Sequence, residues 1–517
     1  MTKQEIIETL QKGERQTLET KLAKTELPKS IWETYSAFSN TVGGTILLGV
    51  EENRKATNLA ERFSIVGVEN AQKILTDFWN TINSTKVSEN ILQEDDTEIV
   101  EVDGKNLIAI HVPQADWRVK PIYLNDNVFK GTFRRNNEGD YHCSKESVKA
   151  MIRDANENGN DGALVEHYNM DDVDIESLRQ YRTEFRILNG DHVWNEIDDK
   201  LFLKELGGYV VDRNTGREGL TVAGLLMFGK GISIRERFAN FRMDYVDMSH
   251  LVGDERYHDR LTYDGRWENN FYQFFHRVSP KLTFDLPRPF RMEGIRRIDD
   301  TLQHKAVREA FTNAIIHSDV FLEGGVLRID KYDDRLVFRN PGTLKLPVTQ
   351  IFEGGLSKAR NPRIQNMLRM IGFGENLGSG FPLILSAWKQ AGWKAPLLEN
   401  KIEVNEVALT MFVYSSQTLP KLFPNSSQEL QTENETNGGL TGGLTGGLTT
   451  KEIVYNLILE NPYITRKELT ETTGKTMNAI QKCLNKLKAE NRIRRVGSAT
   501  YGGRWEVIDS DSTQNDS

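Results

Sequence analysis

Apolar residues recur along the chain with two periods, and the elements change where the period changes. Ile31, Trp32, Tyr35 and Phe38 fall at helical spacing and predict a helix over 28–41, stopped by Gly43-Gly44. Residues 45–50 form an apolar, β-rich run that delivers Glu51 and Glu52 to its carboxyl end. Two further strands read at 97–102 and 107–112, turned by Gly104. Helices are predicted at 172–188 and 200–206, and 221–228 reads as a buried helix or strand. Around 307–317 another helix is predicted, followed by strands at 326–329 and 336–338 joined by Asp333-Asp334 and broken at Asn340-Pro341-Gly342. An amphipathic helix at 363–371 and a closing strand at 404–413 complete this part.

Some polar residues interrupt these patterns. Glu309, Asn313 and His317 are spaced four apart, so all three leave one helix face that ought to be apolar. A carboxylate and an amide so placed suit a divalent cation and an oriented water, and glycine turns let backbone amides approach phosphates. Glycines occur at Gly342 and again at Gly378-Ser379-Gly380, so a nucleotide pocket is outlined. The bland reading is that Glu309 and Asn313 only bridge neighbouring loops. Lys358 and Arg360 lie in a loop between the glycine sites; they would neutralise phosphates, or form a solvated basic loop. In 128–135, Lys130, Arg134 and Arg135 alternate with Phe129 and Phe133, which suits a strand facing phosphate. The aromatics Trp267, Phe271, Tyr272 and Phe274 read as packing rather than as a base-stacking platform.

Length and charge add organisation. A chain of 517 residues needs several domains, since single cores stop growing near about 250 to 300 residues. Gly-Gly-Leu-Thr repeats between Gly438 and Thr449 mark 415–450 as a linker. Beyond it, 451–508 has a winged-helix pattern with a recognition helix over 476–491, which presents Asn478, Gln481, Lys482 and Asn485, and a wing carrying Arg504. Residues 451–507 hold 11 Lys or Arg against 6 Asp or Glu, a net of +5 in a chain of net charge -8, which favours DNA there. Winged helices also bind proteins. The two cysteines, Cys143 and Cys483, match no metal spacing or disulfide framework, and no apolar run approaches a membrane span. A cytoplasmic protein is expected.

The central strings resemble the GHKL ATPase family. Glu309 and Asn313 match its first box, Asn340-Pro341-Gly342 stands where its adenine-contacting Asp and glycine lie, and Gly378-Ser379-Gly380 is similar to its later glycine box. The resemblance implies ATP and Mg2+, with Asn313 at the metal, Glu309 as catalytic residue of any ATPase activity, and the segment with Lys358 and Arg360 as a lid. An Asn at 340 accepts a hydrogen bond without charge, so ATP binding is expected and fast turnover is not.

The N-terminal strings Glu14-(x4)-Glu19-Thr20-Lys21, 37–44 and Gly49-Val50-Glu51-Glu52 resemble the Schlafen-type, divergent Alba fold, a nucleic-acid-binding module. In nuclease members the positions of Glu14, Glu19 and Glu51 hold a metal, Mg2+ or Mn2+. Binding without cleavage is the other outcome, with Lys21 among the residues expected on the nucleic acid; the bland alternative is that the carboxylates pair with Lys21 and Lys24.

The expectation is an α/β (α+β) multidomain chain: an Alba-like domain at 1–153, a connecting helical or mixed region at 154–300, a GHKL-like sandwich at 301–414, the linker, and a winged helix. It resembles bacterial putative transcriptional regulators, which implies a homo-oligomer that binds DNA, or RNA, under nucleotide control. The rival is a Schlafen-type nuclease, acting in anti-phage defence, that the ATPase-like part controls. No Gly-x-x-x-x-Gly-Lys-Ser/Thr loop supports a motor.

Overall fold

The apolar run at 45–50 becomes two strands because Gly49 takes φ +93° between them. The computed structural model describes residues 2–11, 16–53, 56, 62–288, 292–293, 296–297, 300–374, 380–413, 451, 454–455, 457–458, 464, 466, 469–470, 475, 477–490, 492–496 and 504–507. The chain divides into two units, Met1–Pro424 and Asn425–Ser517.

The first unit begins with α1 (Lys3–Gln11), β1 (Leu18–Lys21), α2 (Ile31–Asn40), β2 (Gly44–Leu48), β3 (Val50–Glu52), β4 (Phe63–Ile65), α3 (Ala71–Ile82), β5 (Thr97–Val102) and β6 (Lys105–Val112). The sheet order is β1-β2-β6-β5, with β1 parallel to β2 and the other pairs antiparallel. Successive strand side chains point to opposite faces. Ile46 and Leu48 therefore join α2 and α3 in one core, while Leu47 joins α1 in another. Both faces are covered, which is why this stretch reads as unbroken hydrophobicity. Next come the hairpin of β7 (Phe133–Asn136) and β8 (Gly139–His142), then α4 (Lys145–Asp154). The strand expected over 128–135 is a turn up to Lys130, and only its end is strand.

Further along are α5 (Ile175–Leu188), α6 (Asp199–Glu205), β9 (Tyr209–Val211), β10 (Glu218–Leu220), α7 (Val222–Phe228), α8 (Gly231–Arg237), β11 (Arg242–Asp247), β12 (Asp259–Leu261), α9 (Phe271–Thr283), β13 (Met292–Glu293), β14 (Arg296–Arg297) and α10 (Leu302–Ile316). The elements β15 (Val326–Lys331), β16 (Arg335–Pro341), α11 (Val348–Glu353), α12 (Pro362–Met370), α13 (Gly380–Ala391), β17 (Leu397–Lys401) and β18 (Glu406–Phe412) follow. A six-stranded sheet runs β12-β11-β15-β16-β18-β17, antiparallel except for β11 against β15. The expected division at residue 300 does not appear as a break. Strands β11 and β12 lie in this same sheet, and one hydrophobic core runs from Val165 to Met411. Trp267, Phe271, Tyr272 and Phe274 are buried in that core as packing.

In the second unit, α14 (Met477–Ala489) turns Ile480, Leu484 and Leu487 inward, and β19 (Ile493–Val496) pairs antiparallel with β20 (Arg504–Val507). Trp505 closes that core, its indole N–H donating to the Ile464 carbonyl at 3.1 Å. The linker at 415–450 lies outside the described residues. Among the described residues, no helix is long and apolar enough to cross a membrane.

Candidate functional site

Helix α10 starts where the Thr301 hydroxyl accepts the His304 amide, and it packs Val307, Ala310, Phe311, Ala314 and Ile315 into the core. Glu309 and Asn313 lie one turn apart, and the Asn313 amide donates to Glu309 Oε1 at 3.2 Å. Gly380, the first residue of α13, sits directly against this pair. A Cβ there would strike the Glu309 carboxylate and stand 3.3 Å from the Asn313 amide nitrogen. Only glycine permits the approach. The Asn313 Oδ1 accepts no hydrogen bond among the described residues, so it can meet a cation.

The seam opens into a cleft that also meets His317, Asn340, Lys358 and Gly380 and is floored by Phe338 and Leu409. The cleft opens to solvent at its mouth, and its water-accessible interior is about 130 Å³. Asn340 is buried on β16 opposite Val407, and its amide reaches the His317 carbonyl at 3.5 Å. The expected chain break at Asn340-Pro341 is not there: β16 runs through both residues, and Gly342 then turns at φ +104° while its N–H donates to the Asn405 carbonyl at 2.7 Å. These backbone groups are spent on the sheet rather than free for a ligand.

His317 caps α10 at its C-terminus. Burial, reinforced by Arg360 and Lys345, pushes its imidazole down to about 3, so it is neutral at ordinary pH. Lys358 is exposed on a loop at the cleft. Arg360 behaves otherwise. Its guanidinium is buried, binds both Asp154 oxygens at 2.7 Å, and donates to the carbonyls of His317 and Thr343. It is therefore a strut between α4 and the cleft wall and is already neutralised, which corrects its expected role as a phosphate partner. Gly378 and Ser379 lie outside the described residues.

The N-terminal candidates separate. Glu14 lies outside the described residues. Glu19 is engaged on both oxygens, by Lys21 at 2.9 Å and by Arg135 at 2.8 Å, so the largely buried Lys21 is spent on Glu19 rather than offered to nucleic acid, which corrects the expectation for it. Glu51 is exposed on β3. Among the described residues, no group of three His, Cys, Asp or Glu is placed to hold a metal. Arg135 is 1% exposed, pairs also with Asp140 at 2.9 Å, and lies over the Phe38 ring. It cannot reach a phosphate, which corrects the expectation for it. Arg134 is half-buried and donates to the Ile402 carbonyl at 3.5 Å, so it too faces the protein. Lys130 is exposed, in a turn.

On α14, Lys482 and Asn485 are exposed, while Gln481 is held between Arg466 and Asn485. The side chains of Asn478 and Arg504 lie outside the described residues. Sequence reasoning missed Asp154, Lys120 and Lys345, whose importance arises only when distant segments meet.

Three families match parts of the chain. The family described as Schlafen, AlbA_2 matches residues 14–144, and one described as the C-terminal region of the putative ATP-dependent DNA helicase RecG matches 324–411. A domain of unknown function (DUF8451) matches 149–244. Among solved structures, a Corynebacterium diphtheriae protein is 16% identical, with 97% of this chain and 98% of that chain covered and a TM-score of 0.41. The N-terminal domain of a putative ATP-dependent DNA helicase RecG-related protein from Nitrosomonas europaea is 28% identical, covering 28% of this chain and 94% of that one, with a TM-score of 0.22. No curated protein matches the chain. A Schlafen/AlbA_2 domain and a RecG-C-terminal-like domain thus lie in one chain, and together they mark a nucleic-acid-related protein.

Proposed function

We propose that this protein is a nucleic-acid-binding regulator whose grip on DNA, or whose assembly into a homo-oligomer, is switched by an ATP-type nucleotide in the cleft between α10 and α13. The observation that carries this reading is the Glu309–Asn313 pair, held against Gly380 where both line one cleft. Asn313 would hold Mg2+ or Mn2+ through its Oδ1, and the Asn340 side chain would meet the base. Lys358 would approach the phosphates. Bound Mg2+ supplies neutralising charge to a triphosphate. Glu309 would orient a water, and an uncharged Asn340 suits binding more than turnover.

The Schlafen/AlbA_2 match supports nucleic acid as partner, DNA first and RNA second. A helix followed by a two-stranded hairpin in the second unit supports a winged helix that offers Lys482 and Asn485 to DNA, and a cytoplasmic regulator of transcription is the setting we infer. Anisotropy of labelled DNA, titrated with and without ATP and Mg2+, tests the switch. The expected result is a nucleotide-dependent change in affinity that Glu309→Ala abolishes; an unchanged response in that variant would sink the reading.

Nuclease action is the weaker reading, because any metal at Glu19 must displace Arg135 or Lys21 from its oxygens. Incubation with DNA and RNA plus Mg2+ or Mn2+ decides it. Cleavage lost in Glu19→Gln would restore the nuclease.

A further inference from the structure

A second cavity, of about 40 Å³, lies beside the nucleotide cleft and shares Thr343, Leu344 and Lys345 with it. That space holds about three or four water-sized atoms, the bulk of a tetrahedral oxyanion. Its walls come from separate parts of the first unit: Lys120 before β7, Arg134 on β7, Cys143 just ahead of α4, Asp154 at the end of α4, and Lys345 on the loop after β16.

The charges here do not balance. Among the described residues, Lys120 donates only to the Asn40 carbonyl at 3.2 Å, and Lys345 lies over the Trp117 ring at 4.4 Å. The Nε of Arg134 is buried and has no partner. Among the described residues, none of the three cations makes an ion pair. The acid on this wall, Asp154, has both oxygens committed to Arg360. Cys143 adds no anion, since burial pushes its thiol up to about 11. Burial also pulls Lys120 down to about 8, although the charges of Asp154 and Asp116 oppose the shift. Three cations around one small cavity are costly to keep unless something negative enters.

We infer that this chamber binds a phosphate-class oxyanion through Arg134, Lys120 and Lys345. The inference does not depend on nucleotide binding in the neighbouring cleft. Two sources share this chemistry: free phosphate, and the terminal phosphoryl group of a molecule lying across from the cleft.

Titration calorimetry of the full chain with inorganic phosphate is the test. Saturable binding is expected, weakened about tenfold or more in Arg134→Gln and in Lys345→Met. Arg134→Lys keeps the charge and should recover part of the affinity, which separates charge from folding; thermal melting checks that each variant is folded. Asn313→Ala, which removes the proposed cation ligand in the cleft, should leave phosphate binding intact. If ATP competes with phosphate, and Arg134→Gln weakens ATP more than adenosine, the source is a nucleotide. If ATP and phosphate bind together, the source is free phosphate. Absence of saturable phosphate binding, with ATP affinity also unmoved by Arg134→Gln, overturns the inference.

Discussion

At the scale of single residues, the firmest link is the ion pair between Asp154 and Arg360. It joins the last residue of α4, at the end of the N-terminal elements, to the wall of the cleft between α10 and α13. Removing one partner strands a buried charge, which costs about 3–5 kcal/mol. Asp154→Asn should lower the urea midpoint accordingly, and the double variant Asp154→Leu/Arg360→Met should recover most of the loss. His317 gives a pH signature. Its folded pKa, about 3, lies below its unfolded value, so the unfolded chain takes up the proton first as pH falls. Stability from this residue is present above pH ~6.5 and is lost as pH falls from there toward the folded value, by less than about 1.4 kcal/mol per unit because His317 is only half-buried, at the wall of the open cleft. Denaturant melts between pH 7 and 4 should show a shallower decline in His317→Gln than in the parent.

Among elements, the packing of α10 on α13 decides whether the cleft works. Gly380→Ala puts a methyl group into the space of the Glu309 carboxylate, so calorimetry should show nucleotide affinity falling by about tenfold or more. Much of this architecture was legible beforehand. Helical spacing located α2, helices were expected where α5 and α6 stand, and the polar triplet at Glu309, Asn313 and His317 falls on the face that lines the cleft. What was lost has physical reasons. Strand β17 carries Leu397 to Lys401 with every side chain exposed or half-buried, so it has no apolar alternation to detect. Strands β11 and β12 reach their sheet from far along the chain, a pairing no local pattern encodes. The cation and aromatic alternation in 128–135 was real, but the period of two puts Phe133 and Arg135 on the same face, and that face is buried. Parity alone would have moved Arg135 inside. It would not have disclosed Glu19 and Asp140 as its partners.

Over the whole molecule, an acidic chain carries a basic C-terminal segment, and binding to DNA should therefore weaken steeply with salt. Lys482→Ala, a change at an exposed position of α14, should lower the log-log salt slope by about 1, measured by anisotropy over a salt series. If the slope stays where it was, Lys482 meets no phosphate. The central claim concerns the cleft itself, and calorimetric titration of the full chain with ATP and Mg2+ tests it most directly, beside the Asn313→Ala variant. The expected result is saturable binding in the parent, strengthened by Mg2+, with the metal-dependent part gone in Asn313→Ala. A parent that takes up no ATP, or a variant that binds it with the same affinity and the same gain from Mg2+, would contradict the claim.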